Sequence, residues 1–235
     1  LNAGADDFLK KPVDFAELRS RLAVGARTIR YEEMLLESER KVRLECYRAL
    51  NDLAEARDNE TGQHLKRISL FSRLLSEILG LPKKFVDDIE VFSSMHDIGK
   101  VGITDDILLA PRKLTDKEFA VMKTHTTLGY QILKDRATFE MAADIAYSHH
   151  AKFDGRGYPH ALKGEAIPMS ARIVALVDVY DALRSKRPYK KPWSHEDAIK
   201  EINSGKGTHF DPALTDAFLK NSESFARIVD AYKTK

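Results

Sequence analysis

The sequence predicts an all-α chain, and three observations carry that expectation. From Arg27 to Arg57 the residues are rich in Glu, Arg, Leu and Ala and include neither Gly nor Pro, the composition of one long helix. Further on, apolar residues recur at helical spacing, as in Leu65, Ile68, Phe71, Leu74, Leu75 and Ile78. Helix punctuation separates these runs: Gly80 and Pro82 stop one, Thr115 with Glu118 opens another as a capping box, and Asp211-Pro212 opens the last.

The exception comes first in the chain. Residues 2–12 read as a loop, a short strand and a Lys11-Pro12 turn, followed by an amphipathic helix through Leu18, Leu22 and Ile29. A lone strand has no sheet to join and is expected to pack poorly. In the long helix that follows, Tyr31, Leu35, Val42 and Ala49 recur at steps of four and seven. This stripe is either the seam of a two-chain coiled coil or the face of a single helix lying on its own domain; Ser38 and Glu45 interrupt it. Glu60 and His64, four residues apart, share one face if their segment is helical.

A second helix, from about Lys83, leads through Ile89, Val91, Phe92 and Met95 into His96-Asp97-Ile98-Gly99-Lys100. The capping-box helix delivers His125, and an apolar helix from Met141 to Tyr147 ends in His149-His150. Residues 151–168 form a Gly- and Pro-rich loop containing Gly155-Arg156-Gly157-Tyr158-Pro159. The run Ile173–Val177 is apolar nearly all round, hence buried, and carries Asp178 and Asp181 on one face. A basic, aromatic loop follows, with Arg184, Arg187 and Lys190 around Tyr189 and Trp193, suited to phosphate and base recognition. His160, His195 and His209 have no partner at ligand spacing and read as structural or surface residues.

Composition narrows the function classes. The chain has 235 residues, 38 basic against 36 acidic side chains and a formal charge of +2, so no global field points to DNA or a membrane surface. A single cysteine, Cys46, excludes a disulfide framework and thiolate metal sites, and fits a reducing cytoplasm. No run has the apolar length of a membrane span.

The chemistry centres on His96-Asp97. Taken alone, the pair is either a helix end with a capping carboxylate or a metal site in which an imidazole nitrogen sits beside a carboxylate able to bridge two ions. A buried Asp demands a partner. Five of the eight histidines (His64, His96, His125, His149, His150), with Glu60, Asp97 and Asp178, fall at helix ends or on buried faces. That is a nitrogen and oxygen ligand set sufficient for two or three octahedral metals with open positions.

The order Glu-x3-His, His-Asp, His, His-His, Asp resembles the HD superfamily of metal phosphohydrolases. The strings HDIGK, HHAKFDGRGYP and DVYDAL resemble its HD-GYP branch, over roughly residues 50–220. The resemblance implies an all-α, HD-superfamily multi-helix bundle with a long N-terminal linker helix, which hydrolyses cyclic di-GMP to the linear dinucleotide and, in some members, to GMP. It implies metal ligation by Glu60, His64, His96, Asp97, His125, His149, His150 and Asp178, with Asp97 bridging and Glu60 associated with a third ion. It places Lys100, Tyr158, Asp181, Arg187 and Lys190 at substrate phosphates or guanines. Iron or manganese is expected first, with nickel, cobalt or zinc compatible. Ala151, Phe153 and Arg156 depart from the usual Glu, Trp and small polar residue, and none removes a ligand.

Residues 2–12 and the helix after them resemble the last strand and helix of a response-regulator receiver domain, without its phosphoacceptor Asp. The expected organisation is therefore a receiver remnant at 1–27, a helical linker at 28–48 and an HD-GYP domain at 49–235. Expected partners are cyclic di-GMP, a second copy through the 28–57 helix, and GGDEF-type or other signalling proteins. Cyclic GMP-AMP as substrate and a non-catalytic binding module are the alternatives, and a complete ligand set argues against the latter.

Overall fold

The computed structural model describes residues 7–55, 57, 62–185 and 192–232. The chain divides into two compact units, Leu1–Arg48 and Ala49–Lys235.

In the first unit, residues 7–14 form no strand. Phe8 is 58% exposed, and none of the described residues offers this segment the backbone partner a strand needs. Of the segment 2–12 in which a strand is expected, residues 7–12 are an irregular lead-in and residues 2–6 lie outside the described residues. Helix α1 (Phe15–Glu55) runs unbroken for 41 residues. The boundary expected near residue 27 is not a break in it, since Gly25 alone costs only about 1 kcal/mol relative to Ala and no proline follows Pro12 within the helix.

The second unit is helical throughout its described residues, apart from loops and one isolated bridge between Lys206 and Phe210. Its elements are α2 (Gly62–Ile78), α3 (Lys83–Phe92), two 3₁₀ turns (Ser93–Met95 and Ile98–Gly102), α4 (Asp105–Leu108), α5 (Asp116–Met122) and α6 (His125–Leu133). After a turn at Ala137–Phe139 come α7 (Glu140–Ser148), α8 (Met169–Arg184), α9 (His195–Ser204), α10 (Pro212–Lys220) and α11 (Ser222–Ala231).

Local chemistry sets these boundaries. At the end of α2, Gly80 takes φ +67°, its N–H donates to Glu77 O at 3.0 Å, and Leu81 N–H donates to Ser76 O at 3.1 Å. This Schellman closure satisfies two terminal carbonyls and turns the chain into α3. The Thr115 capping box forms as expected, with Thr115 N–H donating to Glu118 Oε2 at 2.8 Å and Glu118 N–H to Thr115 Oγ1 at 3.4 Å. Asp211 caps α10 through Ala213 N–H at 2.8 Å.

Helix α8 is the central post of the bundle. Ile173, Val174, Leu176 and Val177 are fully buried, and the helix packs against α2, α7 and α9. Its Tyr180 joins Phe71, Phe218 and Phe225 in an aromatic cluster, with ring centroids 5.0 Å apart for Tyr180–Phe218 and 4.6 Å for Phe218–Phe225. Offset and edge-to-face rings of this kind add to the apolar area they bury.

Candidate metal centre

Five elements converge on one point. His64 lies in the first turn of α2, on the face that also buries Leu65 and Ile68. Between the two 3₁₀ turns after α3, the chain reverses through His96-Asp97. His125 is the first residue of α6, His149 caps the end of α7 with His150 after it, and Asp178 projects from α8. The His-Asp turn reaches α6 because Gly99 has no side chain. A Cβ there would stand 1.9 Å from the His125 carbonyl oxygen and 2.4 Å from Gly129 N.

Backbone and carboxylate acceptors fix the imidazole tautomers. Nδ1 of His96 is 2.9 Å from Ser93 O, that of His125 is 2.8 Å from Met122 O, and that of His149 is 3.0 Å from Ile145 O. A carbonyl only accepts, so each Nδ1 carries the proton and donates it. His64 Nδ1 likewise donates to Asp181 Oδ2 at 2.8 Å. In the neutral rings the Nε2 lone pairs then face inward, which is how second partners orient metal-binding histidines.

The lone pairs meet at two adjacent positions. Ligand atoms of Asp97, His125, His149 and His150 lie within 4.8 Å of one another, as do those of His64, His96 and Asp178. Asp97 serves both: Oδ1 is 3.3 Å from His125 Nε2 and 3.7 Å from His149 Nε2, while Oδ2 is 3.4 Å from His96 Nε2. Asp178 Oδ1 is 3.8 Å from His64 Nε2 and 4.0 Å from His96 Nε2.

This arrangement suits cations. His125 Nε2 and His149 Nε2 stand 3.4 Å apart with like lone pairs opposed, and the buried Asp97 Oδ1 accepts no hydrogen bond among the described residues. Acceptors facing acceptors in a buried space repel unless a positive charge lies between them. The seven residues offer only nitrogen and oxygen, a donor set matched to divalent first-row metals.

Protonation states favour metal binding as well. Burial pushes the His125 imidazole down to about 4, and burial together with the neighbouring His149 pushes His150 below its usual range. Both are therefore neutral near pH 7. Burial would raise the Asp97 carboxyl, but the Lys100 ammonium, 2.9 Å from Oδ2, holds it well below the usual carboxylate range. Tyr158 stacks on His150 at 4.8 Å between centroids, and burial next to Asp97 and Asp178 raises its phenol. Tyr158 is thus a neutral hydroxyl beside the cluster.

The remaining site residues fall differently. Glu60, Arg187 and Lys190 lie outside the described residues. Asp181, expected at the substrate, is 1% exposed, and its oxygens receive Arg67 Nε at 2.5 Å, Arg67 Nη2 at 2.8 Å and His64 Nδ1. A buried carboxylate needs such partners, and through them Asp181 orients His64. Sequence reasoning missed Arg67. The signal available was its place three residues after His64, on the same helix face.

Comparison with known proteins points to one family. Residues 48–214 match the family described as HD domain. The chain is 40% identical to a probable cyclic di-GMP phosphodiesterase of Vibrio cholerae over 97% of its own length and 59% of that protein. It is 39% identical to a cyclic di-GMP phosphodiesterase of Thermotoga maritima over 99% of its length and 69% of that protein. The fold superposes on a crystal structure of a cyclic GMP-AMP specific phosphodiesterase of V. cholerae with TM-score 0.59 and 21% identity, covering 80% of this chain and 51% of that one. With an HD-domain match over most of its length and these relatives, the chain belongs to the HD-domain family.

Proposed function

We propose that the chain is a metal-dependent phosphodiesterase of the HD-GYP branch, which opens cyclic di-GMP to linear pGpG. The observation that carries this reading is Asp97, whose two oxygens face two different ligand groups, as a carboxylate bridging two ions must. Two divalent ions held there supply charge neutralisation at a phosphoryl group and a water of lowered pKa. His125, His149, His150 and Asp97 would hold one ion; His64, His96 and Asp178, with Asp97, the other. Iron or manganese fits the donor set, and nickel, cobalt or zinc is compatible. Glu60 is the candidate ligand for a third.

The chain's own residues do the rest. Lys100 stands beside Asp97 Oδ2, where its ammonium offsets charge growing on the phosphoryl oxygens as the ribose oxygen leaves. Tyr158 presents a neutral hydroxyl and a ring face at the edge of the cluster for the phosphate or a base. Arg187 and Lys190 are the proposed phosphate contacts of the basic loop. Buried imidazoles that remain neutral keep their lone pairs available to a cation and do not repel it. Upstream, α1 is read as a connector that carries a signal and pairs with a second copy; its exposed Leu35 and Val42, 70% and 57% exposed, support that.

The test is anaerobic purification followed by elemental analysis and a hydrolysis panel on one sample. At least two ions per chain and turnover of cyclic di-GMP are expected. Preferential turnover of cyclic GMP-AMP would change the substrate, and no turnover with two ions bound would reject the enzyme reading.

A further inference from the structure

Arg67 is 3% exposed, yet it carries a full charge into the bundle and uses all three of its nitrogens. Nε and Nη2 take the two oxygens of Asp181 at 2.5 and 2.8 Å, Nη2 also donates to Ser185 Oγ at 2.8 Å, and Nη1 donates to the Tyr232 carbonyl at 2.8 Å. Ser185 Oγ donates in turn to Asp181 Oδ2 at 3.2 Å. Asp181 then receives His64 Nδ1–H, leaving His64 Nε2 aimed toward Asp178 Oδ1.

We infer that Arg67 is a positioning residue for one of the two ions: it locks Asp181, which locks His64, and it ties that ligand to the ends of α8 and of α11. The inference rests on the two-ion reading above. Its physical basis is the planar guanidinium fork, which fixes both the position and the plane of the carboxylate; a lysine in its place keeps the charge but not the plane. A carboxylate held as an anion beside Nδ1–H makes Nε2 a better donor to a metal. The other group, His125, His149 and His150, takes its orientation from backbone carbonyls or ring stacking, and Arg67 donates to none of these residues.

The two ligand groups should therefore respond unequally to Arg67→Lys. Manganese titrated into the full chain after chelator treatment, read by competition with a chelating fluorophore, should bind in two steps in the wild type. In Arg67→Lys one step should weaken by about 10- to 100-fold while the other stays unchanged, with the far-UV spectrum retained. Equal affinities for both ions in wild type and variant, with only a lower melting temperature, would reduce Arg67 to a structural pair and overturn the inference. If Arg67→Lys fails to fold, Asp181→Asn carries the same test, since it keeps the shape and removes the anion. Because metal affinity is the readout, a chain that binds two ions but turns over no cyclic dinucleotide would sink the proposed function and leave this inference standing.

Discussion

At the scale of single residues, Asp97 has the heaviest duty, because its two oxygens serve different imidazole groups. Asp97→Ala should lower the metal content from two ions to one or none and reduce hydrolysis of cyclic di-GMP to background, while the helical far-UV spectrum persists. Retained turnover would remove the bridging role. The imidazoles make a second prediction through protonation. His125 titrates ordinarily near 6.5 and, buried, near 4. Above pH 6.5 the ring is neutral both folded and unfolded, so the stability it contributes is fully present. As pH falls below 6.5 the unfolded chain takes up a proton that the folded one refuses, and stability is lost until the folded ring also protonates near 4. The span corresponds to about 3 kcal/mol at most. In ion-free protein the urea midpoint should thus fall steadily between pH 6.5 and 4, and the slope should shrink in His125→Asn. A midpoint that stays flat over that window would contradict the burial argument.

At the scale of elements, the site depends on one backbone crossing. The turn Ile98–Gly102 lies so close to α6 that a methyl at Gly99 would collide with the His125 carbonyl. Gly99→Ala should therefore separate Asp97 from His125, destabilise the fold by roughly 2 kcal/mol or more, and weaken metal binding together with stability. Calorimetry and a metal titration on the same variant check it, and a variant with unaltered melting would mean the crossing is looser than described. The elements that carry the clustered His and Asp side chains were legible in the sequence because His-Asp and His-His pairs at helix ends have little packing use, whereas a metal site would need them. The supporting partners were less legible. Arg67, on an apolar helix, reads by itself as a solvated side chain, and only the fold brings it to Asp181, more than a hundred residues away. The pairing of Asp181 with Arg67 and His64 was illegible for the same reason: its spacing from Asp178 gives the helix face but not which way its carboxylate turns. Residues 7–12 form no strand because strand character is completed by a neighbour that none of the described residues supplies, and α1 continued through Gly25 because nothing there outweighs the helix propensity around it.

At the scale of the whole molecule, every described residue of the His and Asp cluster lies in the unit Ala49–Lys235, which also holds the aromatic cluster around Tyr180. That unit expressed alone should fold cooperatively and bind the same number of ions as the full chain, as measured by thermal unfolding and elemental analysis. Loss of either would mean that the first unit contributes to the site. Phe71, buried between Tyr180 and Phe225, is where the bundle is most sensitive to a cavity: Phe71→Ala should cost about 3–5 kcal/mol in urea unfolding. The central claim is that seven described side chains gather two cations about a shared carboxylate. Anomalous diffraction from crystals of anaerobically purified protein, recorded at the absorption edge of the metal found, tests it most directly. The account predicts two peaks, each about 2.0–2.3 Å from an oxygen of Asp97, one bordered by His125, His149 and His150 and the other by His64, His96 and Asp178. A single peak, or two peaks that do not share Asp97, would contradict it.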